Sequence, residues 1–379
     1  MIDTIKLTLD KSMFYISDNS KFERNTMNSS RGYYTMVQNP TKGELKNGFY
    51  KPRLTLSHRY NCSGRSEETL AIELSLPKLL FGNNFDELVL DDYQKVTEKL
   101  NQVLKQMGVY IFKNVLERTP VSLVHYSKNI PLTDGSTPHY LISKIKEANV
   151  NLSLDINQTD YRNDGHSYKW HSSSYEVTFY DKIKDLEIAK KSEKRAIEKD
   201  NNLQLGLFDE FQSRKTFEVL RMEIRLNQRQ KIRQLFKTLG IETEITFKNL
   251  FDPTISQKVL LHYLNEIKRN RIQIIDYKNI GLRDFISTLV LNNSNLSSTK
   301  TLQIIGLKTA IENFNIREFR QMISKGKDKS WYRFIKQVKE LKLPLVKNPL
   351  SVLEENLIKF EPLHLVDYQS NMLNNDKYN

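Results

Sequence analysis

Apolar and polar residues alternate along IDTIKLTLD at the start of the chain, and a two-residue period of this kind marks a strand with one buried face. The same alternation, or a short apolar run, predicts further strands over 52–60, 69–76, 120–126, 175–180 and 216–226. The period changes in DDYQKVTEKLNQVLKQMG, where Val96, Leu100, Val103, Leu104 and Met107 fall at helical spacing and Gly108 can end the helix. HYLISKIKEANV, near His139, predicts a second helix. Strands and helices do not strictly alternate, so the first half is expected to be α+β with an antiparallel sheet.

Charge dominates from residue 181 to about 200, where opposite signs stand three and four residues apart as on a solvated helical arm. A polar insert carrying QLGLFDEF follows, and the strand TFEVLRMEIRL returns the chain to the sheet. From Lys231 onward the pattern is of short helices separated by Gly, Asn and Ser. The expected organisation is a sheet domain over 1–230, with the arm and insert at 181–215, and a basic helical domain over 231–379 ending in a disordered Asn-rich tail. In SWYRFIKQVKEL, Trp331, Phe334, Ile335 and Val338 form a core-facing stripe, while Arg333, Lys336 and Lys339 lie on the other faces. No internal sequence repeat is visible.

Composition narrows the partner. The 379 residues carry 58 Lys and Arg against 45 Asp and Glu, a net charge of +13 with a pI near 9.4. That excess points to a polyanion, with nucleic acid ahead of a membrane surface. No apolar run approaches the roughly 20 residues of a spanning helix, and no signal peptide is expected. The single cysteine, Cys62, rules out an internal disulfide and a cysteine-built zinc site, and fits a reducing cytoplasm. Any metal must then be held by oxygen and imidazole.

Strand parity sorts the polar residues. Around 175–182, Tyr175, Val177 and Phe179 point one way, while Glu176, Thr178, Tyr180 and Lys182 point the other. In RMEIRL the polar set is Arg221, Glu223 and Arg225, and in LAIELSL it is Glu73 and Ser75. His125 shares parity with Val121 and Leu123, so placing it on a polar face requires a bulge or a strand end. Taken singly, these residues have ordinary roles: a tyrosine closing a strand packs, Glu73 is solvated, Glu223 forms a surface ion pair, and a lone histidine is a hydrogen-bonded core residue. Together they offer transesterification at a phosphodiester. Glu73, His125 and Glu223 would hold Mg²⁺ or Mn²⁺, Tyr180 would attack phosphorus, and Lys182 would stabilise the phenolate. Arg221, Arg225, Lys184, Arg333 and Lys336 are the candidate DNA-facing cations.

Several of these stretches resemble the replication initiators of filamentous phages and related plasmids, the nicking-joining proteins of rolling-circle synthesis. The resemblance covers roughly residues 1–250. It rests on MIDTIKLTL, on IELSLPKLLFGNN, on SLVHYSKNI, on TFYDKIKDLE with its tyrosine, and on VLRMEIRL followed by LFKTLGI. It implies a sheet-based nicking domain with Tyr180 as nucleophile and Glu73 and Glu223 as acidic site residues. It departs at His125, where filamentous-phage relatives carry an Asp, and the chain has no His-x-His pair. Implied partners are origin DNA, single-stranded or supercoiled, together with the host sliding clamp and a helicase. Gln204, Leu205, Gly206, Leu207 and Phe208 spell QLGLF, which is similar to the short peptide that docks on that clamp, although the same residues can pin the arm to its own domain. Two other classes remain open: a non-catalytic DNA-binding regulator, which the charge equally satisfies, and a tyrosine recombinase, which needs no metal and attaches to the 3′ end.

Overall fold

The computed structural model describes residues 1–28, 33–41, 43–44, 50–60, 64, 66–148, 159–162, 165–185, 218–314, 316–323, 329–344 and 349–364. Cys62, the arm beyond residue 185, QLGLF at 204–208 and the tail after Ser370 lie outside the described residues. The strands are β1 (Ile2–Asp10), β2 (Tyr15–Ile16), β3 (Glu23–Asn28), β4 (Tyr33–Gln38), β5 (Arg53–Tyr60), β6 (Ser66–Ser75), β7 (Val109–Tyr110), β8 (Val121–Leu132), β9 (Thr159–Arg162), β10 (Ser167–His171), β11 (Tyr175–Asp181) and β12 (Glu218–Leu226).

Ten of them form one sheet in the order β3-β4-β5-β6-β1-β8-β12-β11-β10-β9, with every neighbouring pair antiparallel. The order has an internal logic. β1 lies at the centre, and the four strands that follow it in the sheet return from the outer edge inward, so that β6 closes against β1. β8 then takes the other central place, and β9 to β12 repeat the same inward return. The described sheet is thus two halves of one topology back to back, a repetition of architecture without repetition of sequence.

One face of the sheet is apolar, as the alternation requires: Ile5, Leu7, Leu9, Leu54, Leu70, Ile72, Val124, Tyr126, Val177, Phe179, Met222 and Ile224 are fully buried on it. Helices cover that face. They are α1 (Leu76–Phe81), α2 (Asp92–Gln106), α3 (Lys113–Arg118), α4 (Pro138–Ala148), α5 (Arg229–Leu239), α6 (Phe247–Leu250) and α7 (Pro253–Asn270). The expected strands and the helix at 92–106 are present, within a mixed α+β architecture built on a large antiparallel sheet.

The boundary expected at residue 231 falls elsewhere. Ile232, Leu235, Phe236, Val259, Leu260, Leu264 and Ile267 belong to the sheet's own core. The cause is amphipathicity, because α5 and α7 show water their basic residues and bury apolar faces against the sheet. A second core begins at Ile272 and runs to Leu343, formed by α8 (Leu282–Asn292), α9 (Ser298–Asn313), α10 (Ile316–Ile323) and α11 (Lys329–Lys339). In α11, Trp331, Ile335 and Val338 are buried and Phe334 half-buried, with Arg333 and Lys336 exposed, as the stripe required. Residues 272–343 hold thirteen Lys and Arg against six Asp and Glu, so +7 of the chain's +13 sits there. The last described helix, α12 (Ser351–Lys359), rejoins the first core through Leu350, Leu353, Leu357 and Phe360.

Candidate functional site

Two irregularities in the central strands create the site on the polar face. Between β1 and β8 the pairing passes from Leu7↔Val121 to Lys6↔Leu123, so β8 spends an extra residue there. This is the bulge that His125 required: Val121, Val124 and Tyr126 are buried in the core, and His125 is released to the opposite face. A second shift falls on β1, where Ile2 faces Tyr126 and Thr4 faces His125. Asp3 is the extra residue. Strict alternation from Ile5 would have turned it into the core; the bulge turns it toward His125 instead.

Asp3, His125 and Glu223 each offer a ligand atom, and the three atoms lie within 4.8 Å of one another. They form the one such group of three among the described residues. His125 Nδ1 is 3.6 Å from Glu223 Oε1, and His125 Nε2 is buried with no hydrogen-bond partner among the described residues. Burial holds the imidazole below its usual value, against the pull of Glu223. Burial alone would raise the Glu223 carboxyl; Arg225, His125 and Arg221 together outweigh it and hold the group well below the usual carboxylate range. The donor set of one imidazole and two carboxylates suits a hard divalent ion, and the orphaned, neutral imidazole nitrogen fits that use.

Tyr180 stands on β11 directly opposite Arg221 of β12, with its hydroxyl 3.5 Å from Glu223 Oε2, a long contact. The residue as a whole is half-buried. Desolvation pushes the phenol well above its ordinary value near 10; Arg221 opposes the rise and Glu223 adds to it. Arg221 is therefore the nearby group that favours the phenolate. Its side chain is 2% exposed, and it donates to Asp3 Oδ1 at 2.7 Å, Ser127 Oγ at 2.8 Å, the Asn84 carbonyl at 2.8 Å and Asn129 Oδ1 at 3.1 Å. Lys182 is fully buried, and its Nζ donates to Asn84 Oδ1 at 2.8 Å. Asn84 thus joins Lys182 to Arg221, the cation opposite the tyrosine. The turn that carries it is fixed by Glu87, which accepts from Lys128 Nζ (2.5 Å), the Asn129 amide (2.6 Å) and the Leu363 amide (2.9 Å).

The expected residues divide accordingly. Tyr180, His125, Glu223 and Arg221 converge, and Lys182 reaches them through Asn84. Glu73 does not: it sits on β6 opposite Lys6 and pairs with its Nζ at 3.4 Å, and Asp3 takes the place expected for it. Arg221 is enclosed by its partners, so it is a site cation and not a surface for DNA. Arg225 is 38% exposed but committed to Glu223 at 2.9 Å and Glu176 at 3.1 Å. Lys184 is half-buried just past the strand, and Arg333 and Lys336 are on the separate helical unit. Asp3, Asn84 and Ser127 were not anticipated. Asp3 did carry a signal, since an acid at a core-parity position poses the same conflict that exposed the His125 bulge. Comparison of the chain with protein-family models, with characterised proteins and with solved structures finds no match.

Proposed function

We propose that this protein is a metal-dependent nicking-joining enzyme of DNA that starts rolling-circle replication, with Tyr180 as the nucleophile. What carries the reading is that the hydroxyl of Tyr180, a half-buried residue, meets Glu223, which with Asp3 and His125 forms the group of three on one face of the sheet. The sequence resemblance supplies the substrate and the polarity. Tyr180 Oη, its proton released to solvent, forms a bond to the scissile phosphorus while the bond from phosphorus to O3′ breaks, and the leaving oxygen takes a proton from solvent, giving a 5′-phosphotyrosine and a free 3′-hydroxyl. The later reverse attack by a 3′-hydroxyl reseals the strand without ATP.

Asp3, His125 and Glu223 would hold Mg²⁺ or Mn²⁺, which supplies charge neutralisation at the phosphate and eases ionisation of the phenol. Glu223, held strongly acidic, is a poor base, so its part is to orient the hydroxyl and share the ion. Arg221, opposite Tyr180, offsets the phenolate charge, and Asn84 holds Arg221 and Lys182 in place.

The balanced charge of the cluster favours a second reading, a non-catalytic DNA-binding protein: two arginines offset two carboxylates around a neutral imidazole, a network stable by itself. One experiment separates the two. The protein is incubated with supercoiled and single-stranded DNA plus Mg²⁺ or Mn²⁺, and denaturing gels are probed for protein linked to a DNA 5′ end. The expected adduct is absent from Tyr180→Phe. No adduct with either DNA, or one attached at the 3′ end, would overturn the proposal.

A further inference from the structure

Beside the triad, on the same face of the sheet, lies a cleft of about 360 Å³ whose walls include Thr4, Tyr50, Lys51, Arg53, Ser75 and Lys78. Its position follows from register. Ser75 pairs with Thr4 and Thr4 with His125, so one row across β6, β1 and β8 runs from the cleft to the site. Neighbouring strands are about 4.8 Å apart, which puts the cleft about 10 Å from His125. A chain bound at the triad and continuing across β1 would enter it.

The chemistry of the walls is that of an anion seat. Lys51, Arg53 and Lys78 line the cleft against one carboxylate, Glu73, which pairs with Lys6 of β1; Lys51 also pairs with Glu44, and Lys78 has a contact of its own. Arg53 is exposed and makes no ion pair with a described residue. Ser75, a lining residue, has its Oγ buried with no hydrogen-bond partner among the described residues. The Ser75 amide is already engaged, donating to the Tyr50 hydroxyl at 2.5 Å, which fixes the Tyr50 ring as a wall. Pro40 and the Tyr50 ring give an apolar side suited to a sugar, and the volume falls within the range of small-ligand clefts, roughly 300–1,000 Å³.

We propose that this cleft seats the sugar-phosphate backbone of the single DNA strand next to the scissile link, with Arg53 and Lys78 on its phosphates; this rests on the nicking reading above. The cleft explains why β6 carries a cationic neighbourhood although its glutamate does not join the triad.

The test uses the full chain and a fluorescein-labelled mixed-sequence single strand of about 30 nucleotides, with binding read by anisotropy across about 50 to 200 mM salt. Two lost phosphate contacts should lower the slope of log affinity against log salt by about 1.4 and weaken binding about tenfold in Arg53→Ala/Lys78→Ala. Arg53→Lys/Lys78→Arg, which keeps both charges, should retain the native slope. An unchanged slope in the Ala variant overturns the proposal, whether or not affinity falls, because a purely structural role would not move the slope. If melting shows the double variant to be unfolded, Lys78→Gln alone is read the same way, with an expected slope change of about 0.7. The adduct assay on the native protein is scored separately. A lowered slope without any native adduct sinks the nicking reading and keeps the cleft as a strand-binding site, and an adduct with an unchanged slope does the reverse.

Discussion

The two halves of the sheet each close on a strand that carries a glutamate toward the polar face, yet the two glutamates live in different chemistry. Glu73 of β6 meets Lys6 of β1, and the pair is 40% and 36% exposed. Glu223 of β12 is 5% exposed and meets His125, Arg225 and the Tyr180 hydroxyl. Residue type and strand position are shared, so neighbours decide the outcome. A lysine across the strand in water makes an ordinary ion pair, worth little; a neutral imidazole and an arginine in a desolvated place make a carboxylate that stays charged and available.

The comparison breaks most sharply at the tyrosine. Tyr180→Phe should cut adduct formation by at least about a thousandfold while leaving the melting temperature nearly unchanged, because the one hydrogen bond its hydroxyl makes among the described residues is long. Chelation is the next largest effect. EDTA should stop adduct formation, and because Asp3 and Glu223 are already offset by Arg221 and Arg225, Mn²⁺ should bind weakly alone and tighter once single-stranded DNA is added. Calorimetric titration with and without DNA checks this; equal affinities in both would contradict it.

Glu223→Gln leaves Arg225 and the buried Arg221 short of a counter-charge, and should cost about 3 kcal/mol or more in denaturant titrations as well as most activity. Glu73→Gln should change stability by less than about 1 kcal/mol. Equal losses for the two would dissolve the distinction between the halves. The smallest effect is in pH. His125 titrates lower in the folded chain than its ordinary value near 6.5, so below that pH the unfolded chain binds a proton that the folded chain refuses. Stability should therefore fall as pH drops from about 6.5, and Glu223 adds a further loss at still lower pH, as its depressed carboxyl finally protonates. His125→Gln should flatten the first of these slopes in melting scans.

Much of this was legible as parity. The polar face holding Glu223 and Tyr180 follows from counting by twos along β12 and β11, and the need for a bulge near His125 was readable from its apolar neighbours. Asp3 was legible only as a conflict, an acid at core parity on β1; that the shift turns it toward His125 is specified by the pairing with β8, which one strand's alternation does not contain. Glu73 was misplaced for the complementary reason: which strands adjoin is a matter of topology, and β1 separates β6 from β8. The strands at 23–28, 33–38, 159–162 and 167–171, the two outermost on each side of the sheet, escaped notice since none of them carries a long apolar run. The domain boundary failed because basic surface residues on α5 and α7 resemble those of the helical unit, and only burial distinguishes them.

The return of α12 to the first core has a consequence for biogenesis. Gln257 Nε2 reaches the Leu357 and Ile358 carbonyls at 2.9 and 2.8 Å, Lys268 pairs with Glu354, and the Leu363 amide closes on Glu87. The helical unit is therefore a loop-out held at both feet, threaded between two segments of one hydrophobic mass. A ribosome must release the entire unit before the turn bearing Asn84 acquires its final clasp, so the nascent chain completes the surroundings of Tyr180 last.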